Sequence, residues 1–146
     1  MIFINRDYYK DPEKYISFLH FNKRNKFEKR AIDLVIEEEI KEKRKVIVSP
    51  IKEHYDIKSI GSDIRYIEVK GHRKPTFHIE LSSSQFNLAK EMKEKFWIYL
   101  ICNINKKPKI FEIQNPIENL LFIKAKNKKL FSKKGKYKWK RFLMKK

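Results

Sequence analysis

The stretch YDIKSIGSDIRYIEVKG, Tyr55–Gly71, decides how the rest of the chain is read. Two β-rich runs, Tyr55–Ile60 and Ile64–Lys70, flank Gly61-Ser62-Asp63, a loop with the Gly and Asp chemistry of a tight hairpin turn. With a three-residue loop Ile60 faces Ile64, and counting outward sets Asp56 opposite Glu68. Directly opposed side chains leave the same face of a hairpin with Cβ atoms about 4.5–5.5 Å apart. Glu68 and Lys70 are two residues apart, so they share that face as well.

The expected arrangement is two carboxylates and an ammonium on one side of a hairpin. Like charges set opposite one another destabilise a sheet unless something offsets them. A divalent cation, Mg²⁺ or Mn²⁺, is the natural offset, since Mg²⁺ takes hard oxygen ligands from one or two carboxylates and fills its other positions with water and phosphate oxygens. Lys70 then stands beside it as a fixed positive charge, able to polarise an attacking water or stabilise charge developing on a phosphate. The plainer reading of E-V-K is a half-exposed hairpin with alternating charges.

D-I-x-S, a turn and then Y-I-E-V-K-G resembles the PD-(D/E)xK nuclease superfamily, and more narrowly its DUF3883 branch, named for the C-terminal domain of the plant protein NO VEIN. Phe27–Glu39, FEKRAIDLVIEEE, is similar to the leading helix of that branch. Ile79–Ile101 resembles the strand, helix and strand that follow, and Lys109–Pro116 the closing strand. The resemblance implies a restriction-endonuclease-like core and a metal held by Asp56, Glu68 and the backbone carbonyl of Val69. It also implies supporting roles for glutamates of the leading helix, here Glu28 and Glu39, and for Gln85. The chain has His54 where the family often has Gly, and Gln85 where it often has Glu.

Composition points towards the same partner. Thirty-six Lys and Arg against eighteen Asp and Glu leave a formal charge of +18, an excess that repels itself and calls for a polyanion, nucleic acid first. Cys102 is the only cysteine, so neither an intrachain disulfide nor a cysteine-based zinc site can form. It lies in the apolar run Phe96–Cys102, which suits a buried, inert thiol. No stretch reaches the length of a membrane span, and Arg6 and Asp7 come too early for a signal peptide; the expected compartment is the cytoplasm.

Elsewhere the pattern is regular. Asp11-Pro12 signals a helix start, and the helix after it is expected to turn Tyr15, Phe18, Leu19 and Phe21 inward. From Phe27 to Arg44 the spacing is helical, with Ala31, Leu34 and Val35 on the apolar stripe and Glu28 and Glu39 on neighbouring rows of one face. The charges from Glu37 to Lys43 are also what a solvated helix face looks like. Lys45–Ser49 reads as a strand, and Thr76–Leu81 as another with Phe77, Ile79 and Leu81 on one face. His20, His72 and His78 lack metal-motif spacing. Ser82-Ser83-Ser84-Gln85 is a capping box opening a helix, which by itself accounts for Gln85. The continuous apolar run to Cys102 reads as a fully buried strand, with Lys109–Ile113 pairing beside it.

The segment from Lys124 to Lys146 carries a dozen Lys or Arg interleaved with aromatics, the composition of a segment that follows phosphates and stacks on bases. Its candidate contacts are Lys133, Lys134, Lys136, Lys138, Trp139, Lys140 and Arg141, joined by Arg73 and Lys74 after the hairpin. A membrane-surface helix has a similar composition. The expected architecture is one α/β domain over residues 1–123, a mixed central β-sheet flanked by helices in the order αβββαβ with an extra N-terminal helix, followed by a basic tail over 124–146. The expected function is metal-dependent hydrolysis of DNA phosphodiester bonds, in a restriction, defence or DNA-processing system. The alternative is a catalytically inactive nucleic-acid-binding or targeting module of the same fold. Candidate protein partners are a second copy of the chain and, as the branch often accompanies them, a helicase or methyltransferase.

Overall fold

The structure, a computed structural model, describes residues 11–75, 79–120, 122–124 and 130–132. Helix α1 (Pro12–Asn22) opens where Asp11-Pro12 signals it, with Asp11 Oδ1 accepting the Glu13 N–H at 3.1 Å. Helix α2 (Lys26–Lys41) is capped by Asn25, whose side chain accepts from the Glu28 N–H, and it ends three residues before the expected Arg44. The strands β1 (Lys45–Val48), β2 (Ile57–Ile60) and β3 (Ile64–Gly71) follow as an antiparallel meander. Then come β4 (Glu80–Leu81), α3 (Ser83–Met92), β5 (Phe96–Cys102), β6 (Lys109–Gln114), a short α4 (Pro116–Asn119), β7 (Phe122–Lys124) and β8 (Leu130–Ser132).

Five strands form a mixed sheet in the order β1-β2-β3-β5-β6. β5 runs parallel to β3, with Glu68 beside Ile98 and Lys70 beside Leu100, because α3 carries the chain back between them as parallel pairing requires. Every residue of β5 is buried, as its unbroken apolar run predicts for a strand covered on both faces. Cys102 is buried with it. On one face Ile57, Ile67, Trp97, Tyr99 and Ile101 pack under Ile32, Leu34 and Val35 of α2. On the other, Phe96, Ile98 and Leu100 pack under Ala89 and Phe86 of α3, together with Ile79 and Leu81. The N-terminal half of α2 crosses the end of β3 closely: a Cβ on Gly71 would lie 3.1 Å from the Ala31 methyl.

Of the strand expected over Thr76–Leu81, Glu80–Leu81 is strand and belongs to a separate three-stranded sheet, β4-β8-β7; Thr76, Phe77 and His78 lie outside the described residues. The expected boundary at 123/124 falls inside β7, and residues 130–132, expected in the tail, pair with β4 and β7. Among the described residues, no helix is long and apolar enough to cross a membrane.

The far end of α2 is fixed by a buried polar network that composition gave no hint of. Glu39 is fully buried; its Oε2 accepts from Ser59 Oγ at 2.6 Å and lies 3.1 Å from Arg44 Nε, and its Oε1 accepts from the Tyr99 hydroxyl. Arg65 Nη1 donates to that hydroxyl at 2.9 Å and lies 3.3 Å from Glu39 Oε1, with its guanidinium 4.7 Å over the Trp97 ring. Arg44 continues to the hairpin tip, donating to Asp63 Oδ1 at 2.7 Å and to the Asp63 carbonyl at 2.9 Å. Gly61 leaves it room, since a Cβ there would stand 2.5 Å from Arg44 Nη1. Removing one member of a buried ion pair strands the others without counter-charge, at a cost of roughly 3–5 kcal/mol. Glu39→Ala is therefore expected to lower unfolding free energy by about that amount in urea titrations; a loss within the noise of a surface substitution would show the network to be solvated.

Candidate functional site

The three-residue loop holds: Ile60 pairs with Ile64, Ser59 with Arg65, and Ile57 with Ile67. The regular ladder stops there, one residue short of the expected Asp56–Glu68 pair. The Asp56 N–H donates to the Ile67 carbonyl at 2.9 Å, so Asp56 and Ile57 together oppose one residue, the geometry of a β-bulge, which re-aims a side chain. The Asp56 carbonyl accepts from the Ser49 N–H at 2.8 Å, and its carboxylate Oδ2 accepts from the Val69 N–H at 2.8 Å. Straight counting puts Asp56 across from Glu68. The bulge puts it beside the β3 backbone, with the Asp56 and Glu68 carboxyl groups still lining one cleft and near enough for the Asp56 charge to raise the Glu68 pKa.

Glu68 is almost fully enclosed, its side chain 7 % exposed against 21 % for Asp56. Burial, and then the Asp56 charge, hold its carboxyl well above the usual carboxylate range, with Lys70 acting in the opposite sense. Lys70 Nζ lies 3.5 Å from Glu68 Oε1 and 3.4 Å from Gln85 Oε1. The expected capping box is present, Ser82 Oγ accepting the Gln85 N–H at 3.1 Å and Gln85 Oε1 the Ser82 N–H at 3.0 Å. One amide oxygen therefore caps α3 and faces Lys70. Arg24 Nη2 stands 3.4 Å from Asp56 Oδ1, while its Nη1 donates to the His20 carbonyl at 2.8 Å.

These groups line one cleft of about 360 Å³, closed on the helical side by Phe27, Glu28 and Ala31 and on the loop side by Ile51 and Glu53. Of the sequence candidates, Asp56, Glu68, Val69, Lys70, Gln85 and Glu28 all border it. Glu28 is exposed and its Oε1 accepts from Asn25 Nδ2 at 2.9 Å, a capping role for this carboxylate. Glu39 does not reach the cleft. Eleven residues of helix separate it from Glu28, about 16 Å at 1.5 Å per residue, so two glutamates on one face cannot both serve one site, and Glu39 belongs to the network at the hairpin tip. Arg73 and Lys74 border a second hollow that meets the cleft at Phe27, Gly71 and His72. Lys133, Lys134, Lys136, Lys138, Trp139, Lys140 and Arg141 lie outside the described residues. Sequence reading missed Arg24, which sits in a run, KRNK, that looks like solvated charge; only its burial identifies it.

Two touching carboxylates, one recessed and one half-open to the cleft, make a pair of hard oxygen donors suited to a divalent cation completed by water. Among the described residues, no group of three or more His, Cys, Asp or Glu assembles into a metal cage. Because Glu68 holds its proton more tightly folded than unfolded, the folded state binds more protons between the two pKa values, and stability falls as pH rises through that window. In chelator, the unfolding free energy is expected to decline as pH is raised above about 4.5, the ordinary glutamate value, and Glu68→Gln to flatten that decline. An identical pH slope in the variant would mean that Glu68 ionises as freely as a surface carboxylate.

A search of curated proteins finds no match to the chain. A family model described as protein NO VEIN, C-terminal, matches residues 27–113, from the start of α2 through β6. The match covers more than half of the chain and contains the sheet, the bulge and most of the residues that line the cleft, so the protein belongs to the NO VEIN C-terminal family.

Proposed function

We propose that the cleft is the active site of a metal-dependent nuclease that hydrolyses DNA phosphodiester bonds on a restriction-endonuclease-like core. The observation that carries this reading is the contact between the Asp56 and Glu68 carboxyl groups with an ammonium 3.5 Å from one of them. Asp56 and Glu68, with the Val69 carbonyl, would hold the cation, and a bound Mg²⁺ would supply Lewis acidity toward a phosphate oxygen and water. Lys70 faces the same space and offsets the charge that builds on the phosphate as water oxygen bonds to phosphorus and the P–O ester bond breaks. Gln85 positions Lys70, and Arg24 positions Asp56. The +18 charge supplies the attraction for a polyanion, and most of its affinity comes from counterion release.

One observation favours a second reading. Each carboxylate has a cation within 3.5 Å, Arg24 for Asp56 and Lys70 for Glu68, so the site can be neutralised from within, as in a binding module without turnover. Incubation with labelled single- and double-stranded DNA in Mg²⁺ or Mn²⁺ separates the two. Asp56→Asn and Lys70→Ala are each expected to lower cleavage by about 10²–10³-fold, the size of losing one group that stabilises transition-state charge. Asp63→Asn, at the hairpin tip, keeps activity. DNA binding by a wild-type protein that never cuts in either metal, with unchanged affinity in Asp56→Asn, would establish the binding module instead.

A further inference from the structure

Resting on that hydrolytic reading, we propose that the cleft is the middle of a groove open at both ends, through which a single DNA strand passes, so that cutting is endonucleolytic. The cleft, with its carboxylates, continues into a hollow on each side. One, about 560 Å³, is walled by His20, Lys23, Pro50, Ile51 and Lys52 and shares Ile51 with the cleft. The other, about 460 Å³, is walled by Phe27, Gly71, His72, Arg73 and Lys74 and shares the first three with it. The two hollows have no residue in common and meet the cleft at different residues, Ile51 for one and Phe27, Gly71 and His72 for the other. Both carry two fixed cations and no carboxylate, whereas the cleft sets Glu28, Glu53, Asp56 and Glu68 against Arg24 and Lys70. A backbone of phosphates fits that alternation when its flanking phosphates lie on the basic ends and the central one lies over the carboxylates. An exonuclease needs only one such arm, and its cleft closes beyond the site.

Single-strandedness follows from depth and from the chemistry of the rims. The Glu68 side chain is only 7 % exposed, and a duplex, stiff over about 150 base pairs, must be kinked to bring one phosphate to it while resting on both arms. A single strand reaches it without that deformation. The Arg73 guanidinium covers the Phe27 ring at 5.5 Å, the flat pairing on which an unstacked base can lie. At the opposite rim Ile51 is 62 % exposed, an apolar wedge of the kind that separates stacked bases. The first arm carries two fixed cations, Lys23 and Lys52, and burial, then Lys23, Arg24 and Lys52, hold its His20 below the usual histidine range.

A covalently closed single-stranded DNA circle tests the path, because it has no end to start from. Wild-type protein in Mn²⁺ is expected to linearise it at a rate comparable with internal cuts in a linear oligonucleotide, and to cut a closed duplex circle at least tenfold more slowly. Degradation of linear strands alone, or a preference for the duplex circle, overturns the proposal. Binding to the same circle by Lys70→Ala protein, measured against salt, is independent of turnover. Lys23→Gln/Lys52→Gln and Arg73→Gln/Lys74→Gln are each expected to reduce the slope of log affinity against log salt by about 1.4, at about 0.7 per phosphate contact on a single strand. Loss from both arms without cutting by the wild type would sink the hydrolytic reading and uphold the path. Loss from one arm only overturns the path even if hydrolysis is seen.

Discussion

The site depends on one distortion of the sheet, the bulge that sets Asp56 and Ile57 against Ile67 alone. An unbulged strand would hold Asp56 in the ladder, its carboxylate projecting normal to the sheet. With the bulge its carboxylate turns along the sheet and accepts the Val69 N–H, a hydrogen bond that fixes the oxygen against the Glu68 carboxyl. A bulge costs regular pairing and is retained where a side chain must be re-aimed. Here it brings together two groups that would otherwise avoid each other, and burial, then the Asp56 charge, hold the Glu68 carboxyl above the usual carboxylate range.

Such a cost needs a rigid support, and the two ends of α2 supply it differently. At its first turns the helix closes over the end of β3, where Gly71 admits the Ala31 methyl, and forms a wall of the cleft. At its last turn Glu39 is held by Arg44, Arg65, Ser59 and Tyr99, which tie the helix to the hairpin tip and to the central strand. Burying so many polar groups is costly unless all are satisfied. A helix held at both ends cannot slide along β3, and the cleft wall keeps its distance from the carboxylates.

Several elements were legible because their cause is local. The three-residue loop, the capping box at Ser82 and Gln85, the Asp11-Pro12 helix start and the fully apolar β5 each follow from backbone chemistry or periodicity within a few residues. The nearness of Asp56 to Glu68 was legible too, by counting along a ladder, although the count assumed a regularity that the bulge breaks. Glu39 was misjudged because angular position on a helix was read without the axial distance, and Arg24 was missed because burial of a charge leaves no periodic trace.

What the sequence by itself determined is the hairpin, its loop length, the face shared by Glu68 and Lys70, and the buried central strand, since each is set by residue spacing and turn chemistry. Only the tertiary structure decided which charges face the carboxylates, which glutamate of α2 is near them, and that two basic hollows adjoin their cleft. Those depend on how separate elements pack, and a charged side chain in the sequence carries no mark of whether water or a partner from a distant segment will satisfy it.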